Sequence, residues 1–510
     1  MAKELFSNMA EHLPDSAIFT VLSAFLLCYF IYYIITSRRQ VRHPPGPIGL
    51  PFLGSVFALS STKKRQYEVI NDWTKKHGSV FSFKLLNTRV YVVSDFRMAR
   101  DILASTHVTA KLPFPVLKTL HGTHNAGIAF CSGEVWQEQR RLFVSFLKNA
   151  TLGGVRFEKL VEEQAQRVLL EMEKTDKKSF DPRYMIHAAL NNVVLRIMTG
   201  VNYDHGDPEF ILFMKLSSRL FSLLGPGGLL AVLPVLAAGT SKTGQDLTET
   251  WKDILIFLKK RIAEHRINFD PNQETTDFMH LYLQEMARRE SQNDQRSFND
   301  TNMLASTFDG VVGGTDPTIL NILWILHTFA CYPEAQRRVR REISEVIGND
   351  NFPRFSDRLR MPLTMSTITE CRRFRPVVDI LIPHVATKDC KIGEYDVTKG
   401  GVVTVNLFHF SRSPDLWDKP KEFQPDRFLT ETGEFDMKKE PLFFGIGRRV
   451  CPGEQLARMN IFIFITHILQ RFAISLPEGA PMDLPALHGL TTTPDPFEIH
   501  AVQIDDDQIE

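Results

Sequence analysis

The amino-acid sequence predicts a mainly α-helical protein with a small β-sheet subdomain, preceded by one transmembrane helix. Beyond residue 60 most apolar residues recur at helical spacing, and two stretches have the pattern of strands. Residues 79–95 are predicted to form a hairpin around a turn at Asn87 and Thr88, and residues 395–405 give further strand signals. An uncharged apolar run near the N-terminus is the third observation. Because no Gly/Ser linker, low-complexity tract or repeat interrupts the chain after residue 50, we predict one large domain in the 510 residues.

The charge balance argues against a nucleic-acid-binding protein. The chain has 60 basic and 59 acidic side chains and a formal net charge of +1, so it has no positive excess for a phosphate backbone. The six cysteines form no C-x-x-C pair, which disfavours a zinc knuckle or a disulfide framework. Their scatter is typical of a reducing compartment, and we expect no nucleic-acid partner.

Residues 17–36 are predicted to anchor the protein in a membrane. The segment carries no charge over 20 residues, and at about 1.5 Å per residue it spans the ~30 Å hydrocarbon layer. A cleaved signal peptide is less favoured because the apolar run is long and no small-residue cleavage pattern follows it. Arg38, Arg39 and Arg42 come next, which predicts a luminal N-terminus over residues 1–16 and a cytosolic body at the endoplasmic reticulum membrane.

Two further segments bear on the relation to the membrane. Residues 37–51 are basic and proline-rich and are predicted to form a stiff hinge before the large domain at residues 52–510. The apolar segment at residues 221–239 is broken by prolines and glycines. It is too interrupted to span a bilayer, and it is either a surface that dips into the membrane or a buried helix–loop–helix.

The strongest chemical signal surrounds Cys451. The cysteine follows a basic loop and precedes a long apolar helix, and Pro452 suits a first helical position. The helix N-terminus should lower the pKa of the thiol and favour a thiolate. No base to activate a nucleophile can be recognised, whereas a lone cysteine can bind a metal that brings its other ligands, as haem does. Three glycines would let a flat macrocycle approach: Gly445, Gly447 and Gly453.

The segment FGIGRRVCPG at residues 444–453 resembles the haem-binding signature of the cytochromes P-450. The resemblance implies the cytochrome P-450 fold and haem b (iron protoporphyrin IX) as the cofactor. It also implies that Cys451 is the axial ligand of the iron and that Phe444 shields the sulfur. The fixed places of the signature are filled by Phe444, Gly447, Arg449, Cys451 and Gly453.

Other motifs match the same family. Glu370 and Arg373 lie one helical turn apart and resemble its Glu-x-x-Arg pair, and Arg427 in PDRF resembles the third member of a buried ion cluster. His384 has the alternative of a strand-end histidine bonded to backbone, and the loop that holds Lys111 is too divergent to align. The resemblance implies that four side chains bind the haem propionates: Trp136, Arg140, His384 and Arg449.

The motifs and the anchor most resemble the microsomal, drug- and hormone-metabolising branch of the family. That branch implies electrons from NADPH through a membrane-bound reductase, with cytochrome b5 as a second electron donor, and insertion of one oxygen atom from O2 into a lipophilic substrate. Apolar residues predominate in the variable segments at residues 111–127, 221–239 and 377–383, which agrees with such a substrate. Four basic residues are candidates either for the reductase surface or for ordinary solvated side chains: Arg141, Lys148, Arg448 and Arg458.

The hexapeptide GGTDPT at residues 313–318 departs from the family pattern. The apolar stretch around it predicts a helix, and in the family this helix crosses the haem with an oxygen-groove motif. Gly314 and Asp316 match the motif, with Gly314 expected to open the groove, but Pro317 replaces a threonine that is thought to steer protons to dioxygen. Thr318 matches the next position, about 100° further round the helix, so it cannot simply substitute.

Three functions remain open from the sequence. In the one that we favour, the protein is a monooxygenase in which Pro317 frees the Gly313 carbonyl to hold a water, and Asp316, Thr315 or Thr318 assists proton delivery. In the second, it is a haem-thiolate isomerase or dehydratase that rearranges a substrate peroxide without a reductase. In the third, it binds haem or lipid without catalysis, which the complete set of haem-site motifs disfavours.

Overall fold

The computed structural model describes residue 20, residues 23–24 and 27–29, and residues 41–60, 64–113, 115–152, 155–224, 242–294, 296–348 and 350–504. The predicted anchor at residues 17–36 lies outside these residues apart from the six positions just given, and so do residues 225–239 of the interrupted apolar segment. Within the described ranges no helix combines the length and the apolar character that a membrane crossing needs.

Helices dominate the described chain, as the sequence predicts. Several begin at a side chain that accepts a hydrogen bond from the first turn, as Asp95, Asp277 and Asn299 do. The bounds are α1 Val56–Leu59, α2 Gln66–His77, α3 Phe96–Ala104, α4 Pro115–His121, α5 Gly133–Leu152, α6 Val155–Glu173, α7 Arg183–Thr199, α8 Pro208–Leu224, α9 Lys242–Ile267, α10 Phe278–Glu290, α11 Asp300–Cys331, α12 Pro333–Ile347, α13 Pro362–Phe374, α14 Leu407–Arg412 and α15 Glu454–Arg471. Short 3-10 turns cover Phe355–Arg360, Met437–Lys439 and Gly447–Arg449.

The strands of the described residues form one small sheet and three two-stranded pairs. Their bounds are β1 Val80–Leu85, β2 Thr88–Val93, β3 Ala110–Lys111, β4 His384–Val385, β5 Cys390–Ile392, β6 Tyr395–Val397, β7 Val402–Val405, β8 Phe472–Ser475, β9 Ala486–His488, β10 Thr492–Pro494 and β11 His500–Gln503. The larger sheet has the order β1-β2-β7-β4-β3, and β2 and β7 run parallel while the other neighbours are antiparallel. The pairs are β5 with β6, β8 with β11, and β9 with β10.

The predicted hairpin is present, with its turn one residue earlier than the sequence suggests. Leu85 pairs with Thr88, so the turn residues are Leu86 and Asn87 rather than Asn87 and Thr88. Leu86 takes the left-handed conformation that such a turn requires, with φ +51°. The sequence does not indicate a turn at Leu86 because leucine rarely adopts this conformation.

The long helix α11 passes through the main hydrophobic core and contains Pro317. Two of its glycines allow α7 to approach closely. A Cβ at Gly310 would lie 2.4 Å from Cε of Met198, and one at Gly314 would lie 3.2 Å from Cγ1 of Val194. Gly314 therefore faces α7, whereas a Cβ at Gly313 would meet no atom within 4 Å.

Candidate active site

The loop before α15 holds Cys451 with its side chain exposed. The Cys451 backbone N–H donates to the Phe444 carbonyl at 2.9 Å and closes the loop. Gly447 has φ +78°, and a Cβ there would lie 2.3 Å from the carbonyl oxygen of Leu103, so only glycine fits. A Cβ at Gly453 would meet no atom within 4 Å, so the loop leaves space for a flat group beside the thiol.

The environment of the thiol raises its pKa. Although part of the Cys451 side chain is accessible, desolvation by the surrounding protein raises the pKa of the thiol above its usual value, and the Glu454 carboxylate adds to the shift. The Gly453 N–H and the Arg140 guanidinium lower it by less. The predicted fall of the pKa at this helix N-terminus is therefore wrong, and binding to a metal ion is what would release the thiol proton.

Two arginines and a tryptophan lie against this loop. Arg140 on α5 donates to the Val450 carbonyl, one residue before Cys451, at 2.5 Å. The guanidinium carbon of Arg449 lies 3.8 Å from the centre of the Trp136 ring. Arg449 also donates to three backbone carbonyls of the segment before α5, those of Thr109, Ile128 and Cys131. The predicted Trp136, Arg140 and Arg449 are therefore brought together.

Lys111 and His384 join these residues through the small sheet. β3 pairs with β4, which places Lys111 opposite His384. Lys111 Nζ lies 3.3 Å from His384 Nε2 and donates to the Ile382 carbonyl at 3.2 Å. Sequence reasoning left Lys111 unassigned because no local pattern reveals a pairing between two strands of two residues each. We call Lys111, Arg140 and Arg449 the cationic cluster.

The cationic cluster has no anionic partner in the described part of the chain. None of its members forms an ion pair with an aspartate or glutamate there. Burial, with repulsion from Arg140, lowers the pKa of Arg449 to about 9, against the smaller opposing influence of Cys131. Trp136 Nε1 is buried among the described residues without a hydrogen-bond partner. Such a site favours a ligand with several carboxylate oxygens.

His384 is neutral in the fold. Burial lowers the pKa of its imidazole to about 2, and repulsion from Lys111 and Arg449 adds to the shift. Its Nδ1 has no partner among the described residues. The structure does not show the alternative of a histidine bonded to backbone, because the Nε2 atom of the ring contacts Lys111 Nζ.

The predicted ion cluster of Glu370, Arg373 and Arg427 is assembled in the fold. Arg373 donates to both carboxylate oxygens of Glu370, at 2.6 and 2.8 Å, and both side chains are fully buried. Arg427 Nε donates to Glu370 Oε1 at 3.1 Å. The remaining donors of Arg373 go to the carbonyls of Ser411, Pro420 and Glu422. Two cations and one anion are thus satisfied together, which fixes the chain from α13 to the region before α15.

A second ion cluster, which the sequence did not reveal, adjoins the Cys451 loop. Glu440 accepts from Arg372 at 3.2 Å and from Arg458 at 3.0 and 2.6 Å. The guanidinium carbons of Arg372 and Arg458 lie 4.8 and 4.9 Å from the centre of the Phe444 ring. Sequence spacing could not predict it because its members lie on α13, on α15 and in the intervening loop.

The motif GGTDPT lies at the middle of α11. A Cβ at Gly313 would meet no atom within 4 Å, so this glycine faces open space. Pro317, one turn later, is partly exposed on the same side, while Thr315, Asp316 and Thr318 are buried. Because proline has no N–H, the Gly313 carbonyl lacks the helical donor that residue 317 would otherwise provide.

Asp316 has a partner that sequence reasoning missed. The hydroxyl of Thr491, in the turn between β9 and β10, donates to Asp316 Oδ2 at 2.9 Å. Burial raises the pKa of the Asp316 carboxyl to about 7, and the Thr491 hydroxyl opposes the shift. The two residues are 175 positions apart, so only the folded chain shows the contact.

A second buried carboxylate on α11 was also missed. Asp309 Oδ2 accepts from the backbone N–H groups of Ile128 and Ala129 at 2.6 and 2.8 Å. Burial raises the pKa of Asp309 to about 6. The segment that it holds also supplies two of the carbonyls that accept from Arg449, so Asp309 helps to position the cationic cluster.

Comparisons with known proteins agree with this geometry. A family model described as Cytochrome P450 matches residues 44–501. The chain belongs to the cytochrome P450 family. It is 31% identical to Cytochrome P450 2J1 of Oryctolagus cuniculus over 95% of this chain and 96% of the relative. It is also 31% identical to Cytochrome P450 2J2 of Homo sapiens, over 92% and 93% of the two chains. A third relative, Cytochrome P450 2D6 of Pan troglodytes, is 32% identical over 94% and 98%.

Family membership confirms the predicted resemblance to the cytochromes P-450 and the mainly helical fold. It also assigns the chain to the general class of haem-thiolate monooxygenases. The residues present fit haem. The two propionates of haem are carboxylates, and the cationic cluster and the Trp136 N–H have no such partner among the described residues. The exposed Cys451 thiol and the space beside Gly453 suit the iron and the edge of the ring.

Proposed function

We propose that this cytochrome P450 inserts one atom of O2 into a lipophilic substrate with electrons from NADPH, so that RH, O2, NADPH and a proton give ROH, NADP+ and water. When bound, haem supplies the iron at which O2 is activated. The observation that carries the proposal is the exposed thiol of Cys451 beside a buried cationic cluster that has no carboxylate partner among the described residues.

The site residues take the following proposed roles. Cys451 is the axial ligand, Phe444 shields its sulfur, and Gly453 leaves room for the ring. The ion cluster of Glu370, Arg373 and Arg427 holds the surrounding chain in place. The propionates are bound by Trp136, Arg140, His384 and Arg449, and also by Lys111.

The helix α11 supports a route for protons in spite of Pro317. The Gly313 carbonyl lacks the N–H that residue 317 would otherwise donate. A Cβ at Gly313 would meet no atom within 4 Å, so there is space beside this turn for a water that bonds to the carbonyl. Asp316 flanks this face and has a carboxyl that titrates near neutral pH. Thr315 and Thr318 bond to carbonyls of their own helix, which makes Asp316 the residue that we assign to proton delivery.

The proposal of a lipophilic substrate rests on apolar side chains next to the site. Leu381 belongs to the variable segment at residues 377–383 and is partly buried. Its Cδ1 lies 3.9 Å from where a Cβ at Gly445 would be, which places it beside the Cys451 loop. The segment at residues 111–127 contributes Leu117 to the main hydrophobic core, and Ile128, which directly follows the segment, also belongs to this core.

Electron transfer is proposed to come from an NADPH-dependent flavoprotein reductase, with cytochrome b5 as a second donor. Arg141, Lys148 and Arg448 are exposed and suit an acidic partner surface. Arg458, the fourth candidate, does not, because it is held by Glu440 and Glu454 and its side chain is 14% exposed. The reductase surface is therefore proposed without it.

The proposed location is the endoplasmic reticulum membrane. It rests on the uncharged segment at residues 17–36 and on the arginines that follow it. Residues 1–16 would then be luminal, residues 37–51 would form the hinge, and residues 52–510 would form the cytosolic catalytic domain.

Reconstitution tests the proposed function. The full chain is combined with a microsomal reductase and a panel of lipophilic substrates, and product formation is measured with isotopically labelled O2. Incorporation of one labelled atom per NADPH consumed is the expected result. Turnover of lipid peroxides without NADPH, and no labelled product, would instead favour the isomerase. Cys451→Ser is the control, since it removes the proposed axial ligand.

A further inference from the structure

The face of α11 that meets open space carries no hydroxyl group. Taking Gly313 as the centre of this face, Pro317 lies about 40° to one side and Asp316 about 60° to the other. Proline has no exchangeable proton. Asp309, one turn before Gly313, is held by the backbone N–H groups of Ile128 and Ala129, which leaves Asp316 as the carboxyl group beside Gly313 and Pro317.

The two threonines of the motif do not serve Asp316. Both point away from the open face, Thr318 by roughly 140° and Thr315 by roughly 160°. Thr315 donates to the Val312 carbonyl at 3.2 Å, and Thr318 donates to the Gly314 carbonyl at 3.4 Å. Their hydroxyl groups are used to satisfy the backbone of the helix itself.

A threonine from outside the helix bonds to Asp316. Thr491 donates to Asp316 Oδ2 at 2.9 Å, and the two residues are 4% and 5% exposed. The adjacent Thr492 fixes the turn between β9 and β10. Its carbonyl accepts from Trp324 Nε1, its backbone N–H donates to the Val377 carbonyl, and its hydroxyl donates to Asp379 Oδ2. Thr491 is thus held against α11 by a rigid neighbour.

We propose that Thr491 is a positioning residue for proton delivery and supplies from the β9–β10 turn the hydroxyl that α11 lacks at Pro317. The Thr491 hydroxyl takes a proton from water as it gives its own to Asp316, and Asp316 passes the proton that it carried to water in front of Gly313. One proton moves inward and both side chains end as they began. The inference rests on the proposed function, which supplies the electrons.

Burial distinguishes this pair from a mere tether. A carboxyl group at such depth with one hydroxyl partner costs stability, and two apolar side chains would join the helix to the turn at lower cost. The cost is understandable if the carboxyl group has to change its protonation state. Its pKa of about 7 lets it take up and release a proton at neutral pH.

The first test compares three single variants of the reconstituted holoenzyme by the peroxide released per NADPH consumed. Thr491→Val removes the hydroxyl at nearly constant volume, and we expect about tenfold more peroxide. Thr491→Ser keeps a hydroxyl and should retain most of the coupling. Thr466→Val removes a buried hydroxyl that bonds to carbonyls of its own helix, α15, and should leave the peroxide unchanged. Equal peroxide from Thr491→Val and the native enzyme, or equal increases in Thr491→Val and Thr466→Val, would overturn the proposal.

A double variant separates proton delivery from packing. Adding Pro317→Thr to Thr491→Val restores a hydroxyl on the helix face, so we expect most of the lost coupling to return. If Thr491 only packed the turn against α11, a new hydroxyl at residue 317 would not restore the coupling. Continued full uncoupling in a double variant that folds and binds haem would contradict the proposal.

An infrared measurement gives a readout that does not depend on turnover. The carboxyl band of Asp316 is identified by difference from Asp316→Asn and followed with pH. Loss of the Thr491 hydroxyl in Thr491→Val should raise the pKa of Asp316, and an unchanged pKa would contradict the pair. If the native protein forms no labelled product, the proposed function fails. If the native protein forms labelled product and Thr491→Val is indistinguishable from it, only this inference fails.

Discussion

The Arg372 guanidinium lies on the Phe444 ring, with 4.8 Å between the guanidinium carbon and the ring centre. Arg372 also donates to Asn321 Oδ1 at 3.3 Å, and Asn321 Nδ2 donates to the Pro317 carbonyl at 2.7 Å. One chain of contacts therefore runs from the proline of α11 to the aromatic ring beside the Cys451 loop. Arg372 is 6% exposed, so these contacts are shielded from water.

Loss of Arg372 should destabilise the protein and disturb the cysteine loop. In Arg372→Met, Glu440 keeps only Arg458, and we expect the free energy of unfolding to fall by about 2–4 kcal/mol. The matched control is Arg337→Met, because Arg337 pairs with Glu334 on the exposed surface of α12. Its loss should cost less than about 1 kcal/mol. Urea unfolding of both holoproteins measures the difference, and equal costs would refute the role given to the buried cluster.

Cys451→Ser should abolish the thiolate type of reduced-CO spectrum while leaving the fold intact. The side chain is exposed and the loop is closed by its backbone N–H, which serine retains. The spectrum of the dithionite-reduced protein with CO tests the ligand, and far-UV circular dichroism tests the fold. An ordinary thiolate-type band in the variant would show that Cys451 is not the axial ligand.

Trp136→Phe should act with opposite signs on the apoprotein and the holoprotein. The Nε1 donor of Trp136 is buried without a partner in the described chain, so its removal relieves a desolvation cost in the apoprotein. In the holoprotein the same change removes a proposed propionate donor and should speed haem loss severalfold. Unfolding of the apoprotein and haem transfer to apomyoglobin measure the two effects. Slower or unchanged haem loss would argue against Trp136 as a propionate ligand.

Asp316→Asn should stabilise the fold in a pH-dependent way. The pKa of this buried carboxyl is raised from 3.8 to about 7, so the unfolded chain loses the proton first as the pH rises. The wild-type protein therefore loses stability between pH about 4 and about 7, while the variant does not. We expect the variant to gain a few kcal/mol above pH 7 and little at pH 4. A difference that is constant across this range would contradict the shift.

The parts of the site that depend on short spacings could be predicted from the sequence. Cys451 and Gly453 belong to one loop, and Glu370 and Arg373 share one helical turn. Their roles could therefore be predicted from neighbouring residues in the sequence. The structure pairs Glu370 with Arg373 and leaves open space beside Gly453. The mainly helical fold followed in the same way, since helical periodicity is a property of neighbouring residues.

Residues that meet through long-range pairing could not be predicted. Lys111 reaches His384 only because β3 pairs with β4, and Thr491 reaches Asp316 only because a hairpin packs on α11. The prediction of a low pKa for the Cys451 thiol was wrong for a related reason. A helix N-terminus is visible in a sequence, whereas the desolvation that outweighs it depends on the whole fold.

The parallel pairing of β2 with β7 has a consequence for biosynthesis. Residues 90–93 pair with residues 402–405, so about 300 residues must be translated before β2 gains its second neighbour. At roughly 5–20 residues per second, the β1–β2 hairpin waits about 15–60 s with one edge unpaired. Val90 and Val92 are buried on that strand in the finished fold. During this interval the nascent chain presents an open apolar strand edge, which makes it a substrate for chaperones and, at high expression, a starting point for aggregation.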